Sequence, residues 1–188
     1  MAFITKNNKK GFTLAEAVIS IVIIVVISLI LANIIISAYS VVSNQRAYLN
    51  LQQETAATLR NISKNTREAV AVARYPEEEP VIESGPDTLV LKMIGLDENG
   101  EPAKGIYDFF IYSLDGQTLK LEIKADDESL GRKNETLVVS NFVDKIIFRY
   151  NNIGPTDSDI ITLTLISSNT VNGQIKQIKA QTSAYLRN

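Results

Sequence analysis

The sequence predicts an α+β fold: one long N-terminal helix, half membrane-spanning and half amphipathic, packed on a mainly antiparallel β-sheet. Three observations carry that reading. From Phe12 to Ser43 the only charged residue is Glu16. From Leu51 onward apolar and small residues recur every three or four positions, with no Gly or Pro before Pro76. Beyond residue 87 the spacing changes to alternation, the period of a half-buried strand.

The chain of 188 residues has room for one modest domain and an appendage. Its net charge of −2 is unevenly placed: residues 1–11 contribute +3 through Lys6, Lys9 and Lys10, residues 12–75 contribute +2, and residues 76–188 therefore carry −7. The chain has no Cys and no His. Cysteine nucleophiles, histidine-based triads, Cys/His zinc sites and disulfides are thereby excluded.

The first element is the apolar stretch 12–43. As a helix it would reach about 48 Å at 1.5 Å per residue, more than the ~30 Å hydrocarbon core of a bilayer. It is too long for the ~7–15-residue apolar region of a cleavable secretory signal, so it is expected to stay in the mature protein. The β-branched run "VISIVIIVVISLI" has weak helix propensity in water. In lipid a spanning segment must satisfy its backbone internally, and a helix does so. The three lysines ahead of it keep that end in the cytoplasm, which puts everything after Ser43 outside. Asn33, Ser37, Ser40 and Asn44 share one helical face. They are either polar groups tolerated near the outer end or a stripe that packs against other helices.

The helical pattern continues through residues 44–74. Leu51, Thr55, Leu59, Ile62, Thr66, Ala69 and Ala73 line one side, and one continuous helix to about Arg74 is the expectation. Arg46, Arg60, Arg67 and Arg74 fall on a seven-residue grid completed by Gln53, with Lys64 beside it. This basic stripe is either a solvated face or a surface for an acidic partner, another subunit or DNA.

"KKGFTLAEAV", residues 9–18, carries a family resemblance that extends over residues 6–45. A short basic leader, Gly11, Phe12, Glu16 five places into the mature chain and a long apolar helix resemble the class III signal peptides of type IV pilins and type II secretion pseudopilins. The resemblance implies that a prepilin peptidase removes residues 1–11 by cutting between Gly11 and Phe12 and methylates the Phe12 amine. It also implies a pilin-like lollipop architecture and assembly with other pilin or pseudopilin subunits. Glu16 would otherwise be an expensive acid in lipid, at about 2.5–3.5 kcal/mol or more. By itself, an acid in the first turn serves the unpaired N–H groups and dipole of its own helix. By the resemblance, Glu16 pairs with the Phe12 amine of a neighbouring subunit and sets the stagger of the filament. Many major pilins have a proline at the twenty-second mature position, which here is Asn33. That departure favours a minor subunit that initiates or caps a filament.

"RYPEEEPVIESGPD" ends the helix, and residues 75–87 read as an acidic, proline-rich extended connector. The exported domain, residues 88–188, follows with strands at "TLVLKMI", "IYDFFIY", "IYSLDGQTLKLEI", "VDKIIFRY", "IITLTLI" and the tail "KQIKAQTSAYLRN". Asp115-Gly116 suits a tight hairpin turn. The strand order is loosely similar to J-type minor pseudopilins and W-type minor pilins. Asp97, Glu98, Asn99 and Glu101 around Gly100, and Asp157 with Asp159, sit in loops of the kind in which some pseudopilins hold calcium, but neither has the spacing of a known calcium loop. They read as solvated turns, and no metal or cofactor is expected. Asp126, Asp127 and Glu128 would need convergence to act as an acid/base pair, and no enzyme is expected. A filament subunit, a tip-exposed binding module and an unrelated signal-anchored exported protein are the competing functions. With the far end at −7, nucleic acid is not an expected partner.

Overall fold

The computed structural model describes residues 13–76 and 81–186. Helix α1, Leu14–Glu68, is followed by ten strands: β1 Ala71–Val72, β2 Arg74–Tyr75, β3 Ile82–Glu83, β4 Leu89–Leu96, β5 Pro102–Asp115, β6 Thr118–Lys124, β7 Glu135–Ser140, β8 Val143–Tyr150, β9 Ile160–Val171 and β10 Gln174–Tyr185. The chain divides into two compact units, Met1–Gln45 and Arg46–Asn188, so the division falls inside α1.

In the first unit, every large apolar side chain from Val18 to Val42 is between 45% and 76% exposed. The most apolar 18 residues of α1 have a mean hydropathy of 3.2, and this helix is long and apolar enough to cross a membrane. A surface of that kind needs apolar surroundings, in lipid or among other helices.

The second unit begins with the C-terminal half of α1. Its buried face consists of Leu51, Thr55, Thr58, Leu59, Ile62, Ser63 and Thr66. That face covers antiparallel strands arranged β1-β4-β5-β6-β7 in one sheet and β10-β9-β8 in another. Leu59 and Ile62 share a core with Leu89, Leu91, Met93, Phe110, Tyr112, Leu163 and Leu165. The opposite face of the five-stranded sheet has its own small core of Tyr75, Val90 and Ile111, covered in part by Ile82. The antiparallel pair β2-β3 therefore packs on the side away from the helix.

The helix ends at Glu68, short of the expected Arg74. Residues 69–75 read "AVAVARY", and their alternation belongs to a strand. They add to the edge of β4, where Val70 N–H donates to the Lys92 carbonyl and Ala73 N–H to the Val90 carbonyl. Ala69 is buried, but beyond the helix, and Arg74 lies on β2, away from the helical basic stripe. Ser84 and Gly85 of the expected connector are tied to the domain by hydrogen bonds. Ser84 Oγ donates to the Ala73 and Val90 carbonyls, and the Tyr150 hydroxyl donates to the Gly85 carbonyl at 3.0 Å.

The expected strands are present, with two differences in the hairpins. Asp115 pairs with Thr118, so the two turn residues between β5 and β6 are Gly116 and Gln117, with Gly116 at φ +61°. Asp115 is thus the last strand residue. The β9–β10 turn is Asn172-Gly173, both with positive φ, and Val171 pairs with Gln174. Asn-Gly is a strong short-range hairpin signal. Strand β7 lacks the alternation of its neighbours and was not expected: four of its six residues are exposed.

Helix and sheet are also joined through Tyr112, whose ring is fully buried. Its hydroxyl donates to Asn61 Oδ1 at 3.0 Å and accepts from Asn65 Nδ2 at 2.6 Å. Burial pushes this phenol well above its usual value, opposed in part by the Asn65 hydrogen bond. An unfolded tyrosine ionises near pH ~10, so the stabilisation is complete below that pH and is lost as pH rises through and above it. The urea midpoint of the full-length chain in detergent should fall between pH 9 and 11.5. Tyr112→Phe, although less stable at pH 7 for want of those hydrogen bonds, should lose less over the same interval. Equal losses in both proteins would show that this phenol is not the titrating group.

Candidate functional site

Helix α1 starts with a reciprocal cap. Thr13 precedes the first helical residue, and both its backbone N–H and its Oγ1 donate to Glu16 Oε2 at 2.9 Å. Glu16 N–H returns a bond to Thr13 Oγ1 at 3.3 Å. Thr-x-x-Glu is the capping-box pattern, in which two otherwise unpaired donors of the first turn are satisfied by each other's residues. The first helical bond, Ala17 N–H to the Thr13 carbonyl, closes the turn at 3.1 Å. Ser20 Oγ donates to the Glu16 carbonyl at 2.8 Å.

Glu16 therefore has a local structural role, and the sequence contained its signal in the spacing from Thr13. The capping box draws on one carboxylate oxygen, while an ionised carboxylate accepts at roughly four lone-pair sites. The side chain is exposed. The cap orients the acid without exhausting it.

Gly11 and Phe12, the expected cleavage and methylation positions, lie outside the described residues. Asn33, Ser37 and Ser40 are exposed on α1, and Asn44 is half-buried on the same element. Arg46, Gln53, Arg60 and Arg67 are exposed along the helix. Lys64 makes a 3.9 Å ion pair with Glu68 at the surface.

The acidic loops are built as turns. Asp97 Oδ1 accepts from the Asn99 and Glu101 backbone N–H groups, both at 2.9 Å, and shapes the β4–β5 connection. Asp126 Oδ1 accepts from Glu128 N–H at 2.9 Å. Asp157 ends a short 3-10 turn, Pro155–Asp157, and Asp159 N–H donates to Asn151 Oδ1. Among the described residues no three Asp or Glu side chains gather closely enough to hold a metal ion.

A buried acid that the sequence reading passed over lies on β5. Asp108 is wholly buried and accepts from Arg132 Nη1 at 2.7 Å, Ser129 Oγ at 3.0 Å and Asp126 N–H at 3.0 Å. Arg132 Nη1 also donates to the Ile94 carbonyl at 2.6 Å. Every partner is internal, so this cluster holds the β6–β7 loop against β4 and β5.

The structure thus leaves the N-terminal segment as the site with an assigned chemical signature. Comparison with curated proteins finds no match for this chain. Residues 6–32, by contrast, match the family model described as the prokaryotic N-terminal methylation motif. With its basic leader, capped Glu16 and apolar helix, this segment is similar to the class III signal peptides of the type IV pilin family.

Proposed function

We propose that this chain is a minor pilin or pseudopilin subunit that helps initiate or cap a type IV pilus or type II secretion pseudopilus. The methylation motif at residues 6–32 is the observation that carries the reading. In it, prepilin peptidase hydrolyses the Gly11–Phe12 peptide bond and methylates the Phe12 amine. The helix first anchors the subunit in the cytoplasmic membrane by a single pass, with its N-terminus inside and its β-rich domain outside. It then moves into a filament, where the apolar surface of residues 18–42 is covered by neighbouring helices and Glu16 meets a neighbour's Phe12 amine. The stripe of Asn33, Ser37, Ser40 and Asn44 packs between helices. The role is structural, without catalysis or a cofactor.

Cleavage is the first step to test. Co-expressed with a prepilin peptidase, the wild-type chain should lose residues 1–11 and gain one methyl group, read by mass spectrometry of the membrane protein. Gly11→Val should leave the precursor intact, because a branched side chain at the cut blocks its fit to the peptidase. Normal cleavage of Gly11→Val would overturn the assigned cut. A wild-type chain that is never processed would leave a signal-anchored protein unrelated to pili.

A further inference from the structure

β10 is the outer strand of its three-stranded sheet and runs beside β9 for 12 residues without a register shift. Its hairpin fixes which backbone groups point where. Val171 and Gln174 flank the two-residue turn and so exchange hydrogen bonds, and in an antiparallel pair such bonded partners recur at every second residue. Gln174 and each even-numbered residue after it therefore bond to β9, a series that Leu186 N–H continues by donating to the Asp159 carbonyl at 2.9 Å. Ile175, Gln177, Lys179, Gln181, Ser183 and Tyr185 aim their N–H and C=O groups at the open side, where none has a partner among the described residues. A free edge of that length is a template for another strand unless prolines, bulges or charges block it. β10 contains no Pro and no acid, and its charges are Lys176 and Lys179.

The surroundings select the charge of such a strand. Ala180, Thr182 and Ala184 stand opposite Leu165, Leu163 and Ile161, all fully buried, so this side of β10 faces the core. On the same side Thr182 shares an exposed groove of about 540 Å³ with Ala56, Arg60, Lys64 and Arg67 of α1. A strand added at β10 would send alternate side chains into this groove. Those positions are about 6.6 Å apart, and Arg60 to Arg67 spans about 10 Å of helix axis, so two consecutive inward side chains come within reach of the three cations. Glu68 pairs with Lys64 at 3.9 Å, which leaves Arg60 and Arg67 without an ion pair among the described residues. A second copy of β10 would bring its own lysines and helix cations to the same seam, where like charge opposes it.

We propose that the free edge of β10 is a docking site for an extended strand of a partner protein that carries carboxylates at alternate positions. Backbone hydrogen bonds to the six open residues hold the strand, and its inward acids meet Arg60, Lys64 and Arg67. The contact uses residues of the second unit alone, so it does not rest on the filament reading.

The probe is a fluorophore-labelled, amidated peptide, Thr-Glu-Val-Glu-Val-Glu-Thr, titrated with the full-length chain in an uncharged detergent. The expected result is a saturable rise in anisotropy at about 50 mM salt, absent with detergent alone, with affinity several-fold lower at about 0.5 M. The same peptide with Lys in place of Glu should bind at least tenfold more weakly. Two further peptides are N-methylated, one on its Glu residues and one on its Val residues. Only one of these sets of N–H groups can face β10, so one peptide should lose at least tenfold and the other should bind as before. Gln181→Pro removes an outward N–H and no bond to β9, and should weaken binding about tenfold with near-ultraviolet dichroism unchanged. Arg60→Glu with Arg67→Glu should reverse the preference between the Glu and Lys peptides, and gives the reading if Gln181→Pro does not fold. No saturable binding, equal behaviour of the two methylated peptides, or a preference unmoved by the charge reversal would overturn the proposal.

Discussion

Glu16→Gln is expected to be cleaved and methylated like the wild type, yet to enter filaments at a level reduced by about a hundredfold or more. Glutamine at this position keeps the capping box, since Gln as well as Glu serves it. The Thr13 donors still find an oxygen where Glu16 Oε2 now accepts them, so the helix start is preserved. What Gln cannot supply is the negative charge. If Glu16 pairs with a neighbour's Phe12 amine in an apolar filament core, neutralising it leaves a buried cation alone, a loss of about 3–5 kcal/mol per contact. Such a loss exceeds the ~1.4 kcal/mol that corresponds to a tenfold change in association. Glu16→Ala removes both cap and charge, and should assemble no better than Glu16→Gln. The measurement is the ratio of filament-associated to membrane-retained subunit, with cleavage scored on the same samples. If Glu16→Gln assembles normally while Glu16→Ala does not, the acid serves only its own helix, and the intersubunit role is wrong.

The parts of this fold that were legible in the sequence are those written as a period or as a short local pattern. The apolar run at 12–43, the alternation of Leu119, Leu121 and Ile123, and the three-and-four spacing of Leu51, Thr55, Leu59, Ile62 and Thr66 each require only near neighbours to be read. The end of α1 was harder because "AVAVARY" suits a helix by its alanines and a strand by its valines. Pairing with β4, a stretch of chain some twenty residues later, decides between them. β7 was missed for a related reason. Its side chains are mostly exposed, so burial imposed no alternation, and the edge of β6 defines it. At the N-terminus the functional signal was plain. An acid in the first turn is expected to serve its own helix end, and the donors it accepts are those of Thr13, three residues away.

The most strongly destabilising single change in the β-rich domain should be Asp108→Ala. "IYDFFIY" identified a strand, but alternation places Asp108 on the same side as Phe110 and Tyr112, which belong to the helix-facing core. A carboxylate there is tolerable only because its surroundings were built for it. Three donors converge on its two oxygens, and the Arg132 guanidinium sits 5.3 Å from the centre of the Phe110 ring. The same loop approaches β4 so closely that Gly131 N–H donates to the Leu96 carbonyl at 3.0 Å, and a Cβ at Gly131 would come within 2.6 Å of Leu96 Cβ. Removing Asp108 strands the Ser129 hydroxyl, the Asp126 N–H and a largely covered cation, and breaking a buried pair in this way costs about 3–5 kcal/mol. Asp108→Asn keeps the shape and one acceptor oxygen, and should cost less, about 1.5–3 kcal/mol for the lost charge-assisted bonds. The comparison that isolates burial is Asp115–Lys120, an ion pair of 2.6 Å at the surface. Solvent screens it, so Asp115→Ala should leave the urea midpoint where it was. Full-length chains in detergent, followed by near-ultraviolet dichroism of their tyrosines, would give the three midpoints. Equal shifts for Asp108→Ala and Asp115→Ala would mean that the buried cluster contributes no more than a surface pair. The expected order, Asp108→Ala far below Asp108→Asn and Asp115→Ala unchanged, would show that the β6–β7 loop is held by one acid whose partners are all internal.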